Sequence, residues 1–172
     1  AMCDDSIRSL GYDREPQLLY YPIKYTLDAG GKRLRPVILL SVCDMFGGEV
    51  TSAMPAAMAV EVFHNFTLLH DDIMDNAPTR RGRPTVHKRW NSNVAILSGD
   101  AMVISSYDIL SQAPADKLPR LLYDFTLLGK GVCEGQLYDM EFEKRGADVT
   151  LDEYIEMIRL KTAVLIAGAA RM

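Results

Sequence analysis

Three observations predict an all-α fold for this chain. Apolar residues recur at helical spacing through successive segments of roughly ten to twenty residues, short Gly- and Pro-bearing stretches separate those segments, and no stretch alternates as a strand would. Segments of that kind joined by short connections imply a helical bundle. With 172 residues and 48% hydrophobic content, the chain fits one domain over residues 1–172 and can bury a substantial core.

Residues 1–15 carry mixed charge with weak periodicity, as a helix remnant or a frayed end would. Residues 17–28 bring Leu18, Leu19, Tyr21, Ile23, Tyr25 and Leu27 to the glycine pair Gly30-Gly31. The basic run Lys32-Arg33-Leu34-Arg35-Pro36 follows, then an apolar helix from Val37 to about Phe46, closed by Gly47-Gly48. Pro36 suits a first helical turn. Lys32 and Arg35 therefore stand at the positive end of a helix dipole, where cations are disfavoured unless an anion joins them. Such a run fits an anion site or a flexible basic surface loop.

A long apolar helix is predicted from about Met54 to Asp75, ending in Asp71, Asp72 and Asp75 with Pro78 just beyond. At about 100° per residue, Asp71 and Asp75 share a face, Asp72 sits beside them, and His64 lies two turns earlier on the same face. Carboxylates at a helix C-terminus are opposed by the dipole and repel one another, so a positive partner is expected. Hard divalent cations such as Mg²⁺ take one or two carboxylates each and leave positions for water and phosphate oxygens. This stretch alone fits a magnesium–diphosphate platform or a solvated acidic helix end.

Residues 79–90 hold five Lys or Arg and no acid, including Arg80, Arg81 and Arg83. Guanidinium forks match phosphate oxygens in pairs, so an anion would bridge this run and the preceding carboxylates. A helix is predicted from Asn93 to Leu110, interrupted at Ser98-Gly99-Asp100, and another from Leu118 to Gly131 that runs on toward Asp139. Gln136 and Asp139 share a face there, as a surface pair or as part of a site. Thr150 and Glu153 form a capping box ahead of a helix reaching Ala170, whose apolar half is interrupted by Lys161-Thr162. That lysine either snorkels to water or enters a polar cavity.

Nineteen basic against 23 acidic residues argue against general nucleic-acid binding. Three scattered cysteines without CxxC spacing suggest neither a disulfide framework nor a zinc site, and fit a reducing, cytoplasmic setting. The longest apolar runs are too short to span a bilayer, so a soluble protein is expected.

Five ordered blocks carry a resemblance: Gly30-Gly31-Lys32-Arg33-Leu34-Arg35-Pro36, His64 through Asp75, Arg80-Arg81-Gly82-Arg83-Pro84-Thr85, Gly135-Gln136-Leu137-Tyr138-Asp139, and Lys161-Thr162. Together they resemble the trans-type isoprenyl diphosphate synthases, or polyprenyl synthetases, which include farnesyl and geranylgeranyl diphosphate synthases. The resemblance implies a bundle of the isoprenoid synthase type and a Mg²⁺-dependent prenyltransferase that condenses dimethylallyl, geranyl or farnesyl diphosphate with isopentenyl diphosphate. By position in those blocks, Asp71 and Asp75 would hold Mg²⁺, with Asp72 in support. Arg80, Lys161, Thr162 and Gln136 would hold the allylic diphosphate, and Lys32, Arg35, His64 and Arg81 the isopentenyl diphosphate. Asp139 would be a magnesium-side or Lys161-side group. Phe66 and Thr67 would limit the cavity, for products of C15 to C20, and a homodimer is implied.

Family members carry a second aspartate-rich motif, and none precedes Met172, so a C-terminally incomplete domain with little activity of its own is expected. Missing helices would leave Leu165, Ile166 and Ala169 exposed. A class I terpene cyclase, or a non-catalytic binding or partner subunit, are the competing expectations.

Overall fold

A computed structural model describes residues 2–172, apart from the side chain of Ala147. The architecture is helical: α1 (Met2–Arg8), α2 (Gln17–Leu27), α3 (Leu34–Met45), α4 (Val50–Met74), a hairpin of β1 (Thr79–Arg80) and β2 (Arg83–Pro84), α5 (Val86–Arg89), α6 (Ser92–Leu110), α7 (Leu118–Arg145), α8 (Leu151–Ile158) and α9 (Val164–Arg171).

Helix α4 is the axis. Every residue from Ala56 to Phe63 is buried, so this helix is covered on all sides, as an apolar run without a polar face must be. The largest helix–helix interface joins α4 to α6, with α3 on another side and α9 also in contact. Phe63 meets Phe125 of α7 edge-to-face at 5.4 Å between ring centroids, and Tyr107 of α6 meets the same ring at 5.1 Å. This aromatic cluster ties α4, α6 and α7 together beneath the acidic helix end.

Helix α4 stops where it does for a local reason. Asn76 adopts a left-handed φ of 51°, its N–H bonds Ile73 O at 3.1 Å, and Ala77 N–H bonds Asp72 O at 2.9 Å. These two bonds close the last turn, and Pro78 follows.

Several expectations are corrected. Helix α4 starts at Val50, one turn before Met54. Helix α6 is continuous through Ser98-Gly99-Asp100, because Gly99 is the seat of a side chain: a Cβ there would lie 2.1 Å from His70 Nε2. The basic segment contains a short antiparallel pair, Thr79 opposite Pro84 and Arg80 opposite Arg83, too brief for alternation to reveal. Leu165 and Ala169 are buried, with α9 packed on α3 and α7, and only Ile166 of the three remains exposed.

Candidate diphosphate site

The hairpin turns on Arg81 and Gly82, with φ of 53° and 74°. Two central residues with positive φ match the twist of a two-residue β-hairpin. Tyr25 anchors it: its hydroxyl donates to Pro84 O at 2.9 Å, and the guanidinium groups of Arg83 and Arg89 lie 4.1 and 4.5 Å from its ring centroid. Thr85 Oγ1 donates to Ala77 O at 2.7 Å and closes the base.

So held, the consecutive residues Arg80 and Arg81 face two different groups. Arg80 Nε donates to Asp72 Oδ1 at 2.8 Å and its Nη2 reaches Asp71 Oδ2 at 3.4 Å. Arg81 Nη1 donates to Gly30 O, and its guanidinium packs on Gly31, where a Cβ would lie 3.1 Å from Nη2. The glycine pair thus admits the arginine of another motif.

Lys161 completes the acidic side. Residues Arg159–Ala163 form a π-helical turn between α8 and α9, a bulge of the kind frequent at functional sites. It crosses α7 at Gly135, where a Cβ would lie 2.2 Å from Lys161 N. The side chain does not snorkel: Nζ lies 2.5 Å from Asp139 Oδ2 and 3.3 Å from Asp71 Oδ1. Burial opposes its charge, but the bond it donates to Asp139 and the charge of Asp71 outweigh that and raise its pKa. Gln136 Nε2 donates to Met74 Sδ at 3.6 Å, and Thr162 is exposed beside Lys161.

Asp72 is buried at 5% exposure, and burial lifts its pKa against the pull of Arg80. Asp75 is exposed, and its pKa is raised by partial burial and then by the Asp71 carboxylate, with Asp139 adding to this. Asp71, Asp75 and Asp139 do not form a ready-made cage. Among the described residues no three His, Cys, Asp or Glu side chains converge for a metal, since Lys161 stands between Asp71 and Asp139. Arg80 also pairs with Asp71 and Asp72 directly.

The second group surrounds an open cavity of about 460 Å³ whose lining includes Lys32, Arg33, Arg35, Glu61, His64 and Arg81. Arg35 Nε is buried with no hydrogen-bond partner among the described residues. Burial, followed by the charges of Arg35, Arg81, Arg80 and Arg33, pushes the His64 pKa down to about 3, so the ring is neutral in this cationic nest. A concave surface with unpaired guanidinium and a neutral imidazole suits a polyanion. Phe66 is partly buried, edge-on to Phe63 at 5.3 Å and to His70 at 4.8 Å, while the Thr67 hydroxyl turns back to His64 O at 2.7 Å.

The family model described as Polyprenyl synthetase matches residues 16–172. The chain belongs to the polyprenyl synthetase family.

Among relatives of this family, the geranylgeranyl diphosphate synthase of Methanosarcina mazei is 46% identical over 160 residues, covering 91% of this chain and 49% of that one. The geranylfarnesyl diphosphate synthase of Natronomonas pharaonis is 39% identical, covering 91% and 51%. The chain spans about half the length of these curated relatives. A crystal structure of a geranylgeranyl pyrophosphate synthase superposes with a TM-score of 0.95 at 49% identity, covering 99% of this chain and 52% of that one. The synthetase from the archaeon Geoglobus acetivorans gives 0.95 at 42% identity, covering 98% and 56%. The isoprenoid synthase fold expected for a polyprenyl synthetase is therefore the fold this chain has.

The motif residues gather as two groups, one on each side of the hairpin. Sequence reasoning assigned no role to the residues that hold them: Arg33 and Glu61 at the cavity wall with Asn65 bonded to Glu61, Tyr25 under the hairpin, and Gly135 behind Lys161. Of these Gly135 carried a signal as a glycine inside an otherwise helical run, and Arg33 as a member of the basic run.

Proposed function

We propose that this polyprenyl synthetase chain serves a short-chain prenyltransferase that joins an allylic diphosphate to isopentenyl diphosphate, with Mg²⁺ as cofactor and a C15 to C20 product. The observation that carries the reading is the pair of cationic groups split by consecutive arginines: Arg80 with Lys161 at the carboxylates, Arg81 with Lys32, Arg35 and His64 at the cavity. One diphosphate needs one such group; a condensation of two diphosphates needs both. A cyclase acting on one prenyl diphosphate leaves the second group without a purpose. The naming of relatives for geranylgeranyl products supports the upper part of the proposed product range.

Mg²⁺ fits the donor set. Asp71 and Asp75 lie one turn apart, the first half-buried and the second exposed, and the proximity that raises the Asp75 pKa is relieved by a hard cation. Asp71 and Asp75 would hold the ion, with Asp139 as a further carboxylate and Asp72 in support through Arg80. When bound, Mg²⁺ supplies charge stabilisation to the departing diphosphate.

The chain's own residues do the rest. Arg80, Lys161, Gln136 and Thr162 orient the allylic diphosphate, whose C–O bond breaks to leave an allylic cation and inorganic diphosphate. Lys32, Arg35, His64 and Arg81 hold isopentenyl diphosphate so that its double bond attacks that cation. A proton then passes to the released diphosphate, so no protein nucleophile is required. The apolar lining around Phe66 excludes water that would trap the cation.

A second copy is the proposed partner. Leu97 and Ile104 on α6, and Leu122, Tyr123 and Leu127 on α7, are exposed apolar side chains that suit a homodimer interface. No helix among the described residues is long and apolar enough to cross a membrane. Cys3, Cys43 and Cys133 are free thiols, in keeping with the proposed cytoplasmic setting.

Labelled isopentenyl diphosphate, supplied with dimethylallyl, geranyl or farnesyl diphosphate and Mg²⁺ to the natural full-length polypeptide, tests the reading. Label in a C15 to C20 prenyl diphosphate is expected. Cyclised hydrocarbon without incorporation would mean a terpene cyclase, and ligand binding with no turnover a non-catalytic subunit.

A further inference from the structure

Arg33 stands in the middle of the basic run and borders the cavity, yet each of its guanidinium nitrogens donates to an acceptor within the protein. Arg33 is 8% exposed and adopts a left-handed φ of 49°, rare for a residue with a side chain. Nη1 donates to Glu61 Oε1 at 2.8 Å, Nη2 to Leu27 O at 2.9 Å, and Nε to Asp4 Oδ1 at 3.2 Å. One guanidinium therefore ties its loop to α1, to the end of α2 and to α4. Glu61 is 3% exposed, and Asn65 Nδ2 donates to its carbonyl at 2.8 Å and to its Oε1 at 3.1 Å.

Burying an ion pair is a poor way to stabilise a fold, because desolvation consumes most of the Coulombic gain. What this pair does is directional. Arg33 and Glu61 border the cavity with their side chains engaged by each other, and Lys32, Arg35 and His64, three residues along α4 from Glu61, line it beside them. Only a group with several fixed donors could bind three separate acceptors from one left-handed position, which favours arginine over lysine.

We infer that Arg33 and Glu61 are a positioning pair that, with Asn65, locks the Gly31–Arg35 turn so that Lys32 and Arg35 face the second diphosphate. This rests on the proposed function, since it names what orders the isopentenyl diphosphate side of the same site.

The test is R33M/E61M in the natural full-length polypeptide. A buried ion pair replaced by apolar side chains of similar volume often keeps its stability, so a Tm close to wild type is expected. Calorimetric affinity for isopentenyl diphosphate should fall about tenfold or more, and its KM should rise in parallel. The KM for the allylic diphosphate should hardly move, and amides 30–36 should exchange hydrogen faster. A stable double variant with unchanged isopentenyl diphosphate affinity and unchanged exchange would overturn the inference. If R33M/E61M does not fold, E61Q, which keeps the shape and one hydrogen bond, is read by the same two measurements. Should the wild type bind no diphosphate, the proposed function fails, and exchange at 30–36 by itself decides the positioning role.

Discussion

Lys161 Nζ lies 3.3 Å from Asp71 Oδ1, across 90 residues of chain. The contact joins the acidic end of α4 to the π-helical turn ahead of α9, and it makes one cation serve Asp71 and Asp139 together. Substituting K161M leaves both carboxylates without that charge. Affinity for dimethylallyl diphosphate, measured by calorimetry, should fall about tenfold or more, as expected when a charge-assisted contact is lost. Affinity for isopentenyl diphosphate should change far less.

The crossing of α7 with that turn is set by Gly135. In G135A the new methyl would meet backbone on both near sides, 2.2 Å from Lys161 N and 2.6 Å from its Cα. Backbone cannot rotate aside, so the elements must separate, at a cost of about 1–3 kcal/mol in denaturant unfolding. G99A should cost less, since its methyl meets the His70 ring, which has rotamers to use.

Arg80 and Arg81 should part ways under the same substitution. R80M strips the buried Asp72 of its partner and should destabilise by about 1–3 kcal/mol while weakening allylic diphosphate binding. R81M removes an exposed side chain that leans on the Gly30-Gly31 backbone, so stability should stay within about 0.5 kcal/mol. The loss in R81M should appear as weaker isopentenyl diphosphate binding.

His64 gives a pH signature. Its pKa is about 3 in the fold, below the ordinary 6.5, because of burial and then the surrounding arginines. Between those values the unfolded chain binds the extra proton, so stability is full above pH 6.5 and declines as pH falls toward 3. The difference in unfolding free energy between wild type and H64Q, followed across this range, should therefore shrink as pH drops. A constant difference would mean that His64 does not titrate as this environment requires.

Phe66 packs edge-on against Phe63 and His70 on the side of α4 that faces α6 and α7. If its ring is the floor of the prenyl cavity, F66A should shift the product of the full-length enzyme toward longer chains in radiolabelled chromatography. An unchanged distribution would place the floor elsewhere.

Much of this molecule was legible residue by residue. The end of α4 followed from Pro78 and the run of aspartates, the capping box of α8 from Thr150 and Glu153, and the anion-seeking pair Lys32 and Arg35 from their place at a helix N-terminus, although α3 starts at Leu34 rather than Val37 and takes in Arg35. Each depends on spacing within one or two turns, which the chain carries locally. The hairpin at Arg81-Gly82 escaped because two-residue strands have no periodicity. The unbroken α6 escaped because Gly99 reads as a breaker until His70 is seen resting on it.

By itself the sequence determined that this chain is helical, that carboxylates end its central helix, and that basic motifs lie before and after that helix in the chain. Only the tertiary structure decided which cation meets which carboxylate, that Arg33 is tied to Glu61, Leu27 and Asp4 while Lys32 and Arg35 line the cavity beside it, and that Gly135 brings Lys161 to Asp71. Helical periodicity places side chains on a face through short-range geometry. The pairing of faces depends on where helices cross, and that is set by packing among residues far apart in the chain.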